Sequence, residues 1–413
     1  MAAILYLAHR IPFPPDRGDK IRSFHMLQAL AGLAPVHVAC FADNADEMAH
    51  QSELAALAQT HCVVQRTKSM ALAGVEALLK GKPVSLTAFY HQALADYVAR
   101  TINEQDIGTV FCFSGQMAQY IPEDFQGRIV LDLVDVDSMK FESYAETSRS
   151  AMAYIYRREG HMLSQFEHRM ADRADVVSLV SENEANLFRQ RMAADGHIAV
   201  SHIRSIANGI DCVRYDPRHN ELTKAMSATT PGDDIIFTGQ MDYPPNIDAV
   251  TSFAAHVMPA VVAAVPDARF IIAGRSPTDA VRALHNDKNI IVTGEVNDIR
   301  TWLNKAAIAV APLMIARGVQ NKVLEAMAME KPVVVSPEAA TGIDVVNGTH
   351  FMIAEDNGSF VAMCIDLLRD SNKARAMGTA ARRHVQDTMS WQAQLEGLDR
   401  IVFGEDVHIS DAA

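Results

Sequence analysis

Apolar runs of strand length recur along the chain, separated by helical or polar stretches. A first series occupies 4–8, 36–41, 62–65, 110–113, 129–133 and 176–181. A second occupies 234–238, 269–273, 289–293, 306–310, 332–336 and 350–354. Strands apolar on both faces and spaced by helices predict parallel sheets covered on both sides, that is, doubly wound α/β domains. Helices are expected from near residue 21, with Phe24, Leu27 and Leu30 on one face, and over 151–172, 246–265 and 360–368. The stretch SENE at 181–184 resembles a capping box for the next helix. SWQAQLEGLDRIV, at 390–402, reads as an amphipathic helix with Trp391, Leu395, Leu398 and Val402 in register. The polar stretch 216–232 is the expected linker. This gives domains of 1–215 and 216–385 facing across a cleft, and a C-terminal helix and tail of 386–413 packing back on the first domain.

The second series holds the most informative stretch, APLMIARGVQNKVLEAMAMEKPVVVSPEAAT at 311–341. Together with the run before it, this reads as strand, Gly-containing loop, helix over 321–329 and strand, one βαβ unit. Asn321 is placed to cap the helix. Arg317, Gly318 and Lys322 gather at its start, where free amides, the positive dipole end and two cations make a seat for phosphate. Glu325 interrupts an apolar segment (Val323, Leu324, Ala326, Met327, Ala328), and a carboxylate there requires a hydrogen-bond partner. A ribose, with two adjacent hydroxyl donors, is such a partner. Taken singly, each residue would serve turn geometry or solvation; the combination points to a nucleotide.

After the first strand comes HRIPFPPDRGDKIRSFHMLQALA at 9–31. Pro12, Pro14 and Pro15 hold the loop extended, Gly18 is expected to allow close approach to a ligand, and Arg17, Lys20 and Arg22 bring positive charge to a helix start. Open α/β sheets place ligands at such strand ends. LDLVDVDSMK at 131–140 carries a D-x-D at Asp135 and Asp137 with the spacing of a divalent clamp, although loop capping or acceptor hydrogen bonding is the better reading. His161 and His168, seven apart, lack the spacing of a metal pair. No metal site and no cofactor are expected.

Composition narrows the classes. With 413 residues, 49% hydrophobic and 21% charged, the chain has the length for two packed domains. A net charge of −13 disfavours a general nucleic-acid binder, while a local basic pocket can still hold one nucleotide. The five cysteines are scattered without a CxxC, as expected of free thiols in a reducing compartment. AAILYLA near the N-terminus reads as a strand rather than a signal peptide, and no stretch has the length of a membrane span. A cytoplasmic location follows as the expectation, with peripheral contact at the inner face of the membrane left open and the oligomeric state unspecified.

Several long stretches carry a family resemblance: IPFPPDRGDKIRSFHML, DLVDVDSMKFESYA, VSENEANLF, NGID, FTGQMDYPPNIDAV, IIAGRSP, VTGEVNDIR, the 311–336 stretch and the terminal SW. The chain resembles retaining glycosyltransferases of the GT-B fold, family 4, and within them the sugar transferases of exosortase/PEP-CTERM exopolysaccharide systems. The resemblance implies transfer of a sugar from a nucleoside diphosphate sugar to a saccharide or polyprenyl-linked acceptor. By this likeness Glu325 matches the second Glu of the E-x7-E motif and holds the donor ribose. Gly294 to Val296 match the turn against the base, and Gly318, Val319, Gln320, Asn321 and Lys322 lie where the pyrophosphate is cradled. Gly239 joins the donor side, and Gly18 matches the loop that closes on the phosphates. Arg17, Asp19, Lys20, Asp135 and Lys140 fall on the acceptor side.

The departures are as informative. The first Glu of E-x7-E is replaced by Arg317, and the phosphate-binding Arg and Lys of the family fall at Gln240 and Asn246. Arg317, Lys322 and Arg275 are the expected replacements for that charge. No catalytic base is evident; His9 and Asp137 are the candidates, and a donor phosphate oxygen can take the acceptor proton instead. Two other readings stand beside the transferase: a catalytically silent scaffold or binding protein of a polysaccharide assembly complex, and a nucleotide-sugar epimerase.

Overall fold

The computed structural model describes residues 2–148, 152–197, 200–219, 232–316 and 318–404. The chain forms two compact units, Met1–Asn208 with Leu395–Ala413, and Gly209–Gln394.

The first unit is built on a seven-stranded sheet: β1 (Ala3–Ala8), β2 (Val36–Ala42), β3 (Thr60–Gln65), β4 (Ile107–Phe113), β5 (Arg128–Val134), β6 (Val176–Leu179) and β7 (Ile203–Ser205). Their order is β3-β2-β1-β4-β5-β6-β7, all parallel. Alternation along β1 sends Ile4, Tyr6 and Ala8 into one core and Leu5 and Leu7 into the other, so both faces are covered. The second unit has β8 (Asp234–Thr238), β9 (Arg269–Ala273), β10 (Ile290–Gly294), β11 (Ile308–Ala311), β12 (Val333–Val335) and β13 (Met352–Ile353), in the order β10-β9-β8-β11-β12-β13. Each sheet reverses its winding beside its first strand, at β1/β4 and at β8/β11, which is where such sheets open a crevice at their carboxyl ends.

Differences from the sequence reading have local causes. The expected 246–265 helix is two, Pro244–His256 and Met258–Ala264, because Pro259 cannot donate within a continuous helix. The expected tail helix is Trp391–Gln394 and Leu398–Phe403, parted by Gly397 at φ +78°. The 350–354 run forms only the two-residue strand β13. Ser181 does cap Glu182–Ala194, accepting from the Glu184 amide, but the box is not closed: Glu184 Oε2 accepts from the Val136 amide at 3.1 Å instead. The expected linker lies mostly outside the described residues.

The unit boundaries fall at 208/209 and 394/395, where the sequence suggested 215/216 and 385/386. Two of the motif stretches meet there. The Ile210 amide donates to Met389 O at 2.8 Å, and a side chain on Gly209 would put its Cβ 2.4 Å from Trp391 N. Gly209 and Ile210 of NGID thus pack backbone-to-backbone against SW within the second unit. The later segment belongs to the first unit: Leu398, Ile401 and Val402 are buried in its core, and Thr109 Oγ1 donates to Val402 O at 2.8 Å.

Candidate functional site

In the second unit the carboxyl ends of β8, β9, β10 and β11 surround a cavity of about 650 Å³, lined on one side by the start of the Asn321–Ala328 helix. The strand ends approach closely. A Cβ on Gly274 would lie 1.6 Å from Gly239 O, so only glycine fits after β9. A Cβ on Gly239 would meet Asn246 Nδ2 at 2.9 Å and Lys322 Nζ at 3.3 Å. Backbone rather than side chain therefore forms this wall.

The helix N-cap is Gln320, not Asn321, which is the first helical residue, and no side chain caps the helix. Its first turn faces the cavity through Asn321 and Lys322. Lys322 Nζ donates to Asn246 Oδ1 at 2.6 Å and lies 4.4 Å from the centre of the Phe237 ring. Burial lowers its pKa to about 8, against the opposing pull of Glu325. Burial raises Glu325 to about 7, offset by a hydrogen bond from the Tyr215 hydroxyl and by the charges of Arg214 and Lys322. Arg275 reaches Gln240 Oε1 at 3.2 Å. The neutral residues at the two unusual positions, Gln240 and Asn246, thus each hold a cation from elsewhere in the fold.

Of the sequence-predicted donor residues, Gly239, Arg275, Val296, Val319, Gln320, Asn321, Lys322 and Glu325 line this one cavity. Gly294, which closes β10, and Gly318, in the loop after β11, carry φ of +68° and +65° and are not in its wall. Arg317 lies outside the described residues. Gly18 belongs to the first unit, begins the Gly18–Leu33 helix, and has open space where a Cβ would be, so no close packing requires glycine there. Sequence reasoning missed Tyr215, which it assigned to the end of the first domain. Tyr215 belongs to the second unit, where Arg382 donates to its carbonyl at 2.7 Å.

In the first unit, the positive charges expected to be open at the helix start are committed internally. Lys20 is buried, 2.8 Å from Glu47, and Arg22 is enclosed with Asp132 at 2.9 and 3.0 Å. Both are struts, not free ligands. Arg17 is more open and pairs with Asp19 at 2.9 Å. Burial would raise Asp19, but His9 and Arg10 hold it at about 2. His9 Nε2 lies 3.4 Å from Asp19, its ring stacks on Phe113, and its Nδ1 is buried without a partner. Lys140 Nζ closes on Asp135 at 3.0 Å and Asp137 at 2.8 Å, so the D-x-D pair is tied to a lysine. Backbone strain marks the neighbouring strand ends: Ser114 after β4 at φ +79° and Val134 closing β5 at φ +69°.

Comparison with known proteins gives the fold a context. Residues 232–370 match the sequence model of the family described as glycosyl transferases group 1. A GDP-mannose-dependent monoacylated alpha-(1-6)-phosphatidylinositol monomannoside mannosyltransferase of Corynebacterium glutamicum is 26% identical over 247 residues, covering 56% of this chain. The matched stretch spans 62% of that relative's length. The structure is similar to Anabaena HepE in complex with UDP, with a TM-score of 0.60, 13% identity and coverage of 96% and 98% of the two chains. It is also similar to sucrose-phosphate synthase from Thermosynechococcus elongatus, with a TM-score of 0.58, 15% identity and coverage of 97% and 98%. The fold, two parallel-sheet α/β domains, is GT-B.

Proposed function

We propose that the chain is a metal-independent, retaining glycosyltransferase that takes a hexosyl group from a nucleoside diphosphate sugar and passes it to a saccharide or lipid-linked saccharide in exopolysaccharide assembly. The observation that carries this reading is the second-unit cavity, where Glu325, Lys322, Arg275 and an uncapped helix start converge. Glu325 accepts hydrogen bonds from the ribose hydroxyls. Lys322, Arg275 and the first helix amides face the diphosphate, and they offset the negative charge that develops as it leaves, without a divalent ion. The group 1 match over 232–370, the UDP bound by HepE and the GDP-mannose used by the Corynebacterium relative support a nucleotide-sugar donor. That relative's glycolipid acceptor supports a lipid-linked one.

In the reaction, the acceptor hydroxyl attacks the anomeric carbon on the face from which the diphosphate departs. The bond from carbon to the diphosphate oxygen breaks, the new glycosidic bond forms, and the acceptor proton passes to a donor phosphate oxygen. His9 and Asp137 are the candidate catalytic side chains, Arg17, Asp19, Asp135 and Lys140 the proposed acceptor-side residues, and the cytoplasm is the proposed location.

A thermal-shift panel of UDP, GDP and ADP with their common sugars tests the donor site. A ligand at 100 times its Kd stabilises by about 2.7 kcal/mol, and one nucleotide should do so for the wild type but not for Glu325→Ala. Turnover that requires a saccharide acceptor completes the case. Turnover without an acceptor would indicate an epimerase, and binding without any turnover a scaffold.

A further inference from the structure

The Met70–Lys80 helix of the first unit is built inside out. It packs through two alanines, Ala73 and Ala77, both fully buried, with Thr87 Oγ1 donating to Ala73 O at 2.8 Å. Its large apolar side chains point the other way: Leu72 is 59% exposed, Leu78 67% and Leu79 83%, and Met70 and Val75 are exposed with them. At 100° per residue, Leu72, Val75, Leu78 and Leu79 fall in one arc opposite the alanine pair. A helix of a soluble core places these residues the other way round. Isolated exposed leucines need no explanation, but a continuous stripe of them does.

Charge identifies what covers this stripe. Between 66 and 84 the sequence carries four cations (Arg66, Lys68, Lys80, Lys82) and a single acid, Glu76, in a chain of net charge −13, and of these Arg66 is turned to Asp43 at 2.7 Å. Glu76 is already neutralised by Lys68 at 2.9 Å and Lys80 at 2.7 Å. At the foot of the helix lies a cavity of about 440 Å³ lined by Lys80, Lys82, Arg169 and Arg173, with Glu123 the one acid in its wall among the described residues. Arg158 fixes the helix over it, donating to Ala77 O at 3.2 Å and Lys82 O at 3.3 Å.

We propose that this helix and the basic cavity beneath it form a docking surface for an anionic lipid bilayer. The Leu72–Leu79 stripe enters the headgroup boundary, and Lys80, Lys82, Arg169 and Arg173 meet lipid phosphates. An apolar face joined to a cationic rim matches an anionic interface, whereas a protein partner of ordinary surface would leave the basic cavity unbalanced. The surface lies outside the donor cavity, so the inference stands independently of the donor assignment.

Vesicle sedimentation with the full chain tests it, using phosphatidylcholine alone and phosphatidylcholine mixed with phosphatidylglycerol. The chain should sediment with the anionic vesicles at low salt and be released as salt rises. Binding should weaken at least about tenfold in Leu72→Ser/Leu79→Ser, and separately in Lys80→Glu/Lys82→Glu. The substituted side chains are all exposed, and an unchanged melting temperature confirms folding. Absence of wild-type binding to anionic vesicles would overturn the proposal. So would equal binding by both variants, or self-association through the stripe without vesicle binding. Nucleotide thermal shifts, measured in parallel, report on the donor site separately.

Discussion

Glu325 and Lys322 stand one helical turn apart, and burial in the cavity moves both proton equilibria toward neutrality. The two have opposite consequences for stability. Glu325 has a folded pKa of about 7 against an ordinary 4.5, so between those values the folded chain holds a proton that the unfolded chain has lost. Its contribution is fully present below 4.5 and is lost as pH rises through 7, by up to about 3 kcal/mol. Lys322 has a folded pKa of about 8 against 10.5, so the unfolded chain holds the extra proton between them and stability rises with pH across that window. Denaturant melts of the nucleotide-free protein should therefore show a fall toward pH 7 that Glu325→Gln flattens. If the mutant keeps the same slope, the assignment to Glu325 is wrong. For ligand binding, Lys322→Met should weaken a nucleoside diphosphate about tenfold or more and leave the free nucleoside unaffected, as titration calorimetry can measure. Glu325 and Lys322 were legible in sequence because a polar residue in an apolar helix needs a reason. Their partners were not: Tyr215 and Asn246 lie 110 and 76 positions away along the chain, and only the fold brings them in.

Between elements, two buried arginines do what no sequence period reveals. Arg382, on the Ser371–Thr388 helix, donates to Ala328 O at the end of the Asn321–Ala328 helix and to the carbonyls of Tyr215 and Cys212. It ties the strand of chain bearing Tyr215 to the helix bearing Glu325 and satisfies a helix C-terminus. Arg382→Met should lower nucleotide affinity without touching the ligand, with a loss of about 3 kcal/mol in stability because three carbonyls lose their donor. Unchanged affinity in a folded variant would separate Tyr215 from the site. Arg22 plays the same part in the first unit, spanning Asp132, Ile206 O and Asn208 Oδ1. From sequence it read only as positive charge near a helix start, since a cation there looks the same whether it faces solvent or a buried carboxylate. Arg22→Ala should cost about 3–5 kcal/mol, and the pair replaced together by Met and Leu should cost much less, because no lone buried charge remains. Urea melts of the single and double variants decide between a strut and a ligand.

At the scale of the whole chain, both sheets were legible where their strands are uninterrupted apolar runs, and the alternation with helices fixes parallel winding, but the edge strand β7 (Ile203–Ser205) was not, because Arg204 and Ser205 leave it no apolar run. Where each unit ends was not, because the boundary is set by contacts between distant segments. The chain passes from the first unit to the second at Gly209 and back at Leu395. The closing segment is more than a tail: Ile401 O accepts from Arg128 Nε at 2.7 Å, Val402 O accepts from Thr109 Oγ1 at 2.8 Å, and Leu398, Ile401 and Val402 fill the same core as Ile4 and Tyr6. Removing everything after Gln394 strips three buried apolar side chains from that core, each worth about 1.5–3 kcal/mol, and takes away the acceptors of Thr109 Oγ1 and Arg128 Nε. Hydrogen exchange on the truncated chain should show lost protection along β4 and β5, while β11 and β12 in the second unit keep theirs and nucleotide binding persists. Loss of protection in both sheets at once would mean that the two units unfold as one, and that the closing segment serves the whole chain rather than the first unit alone.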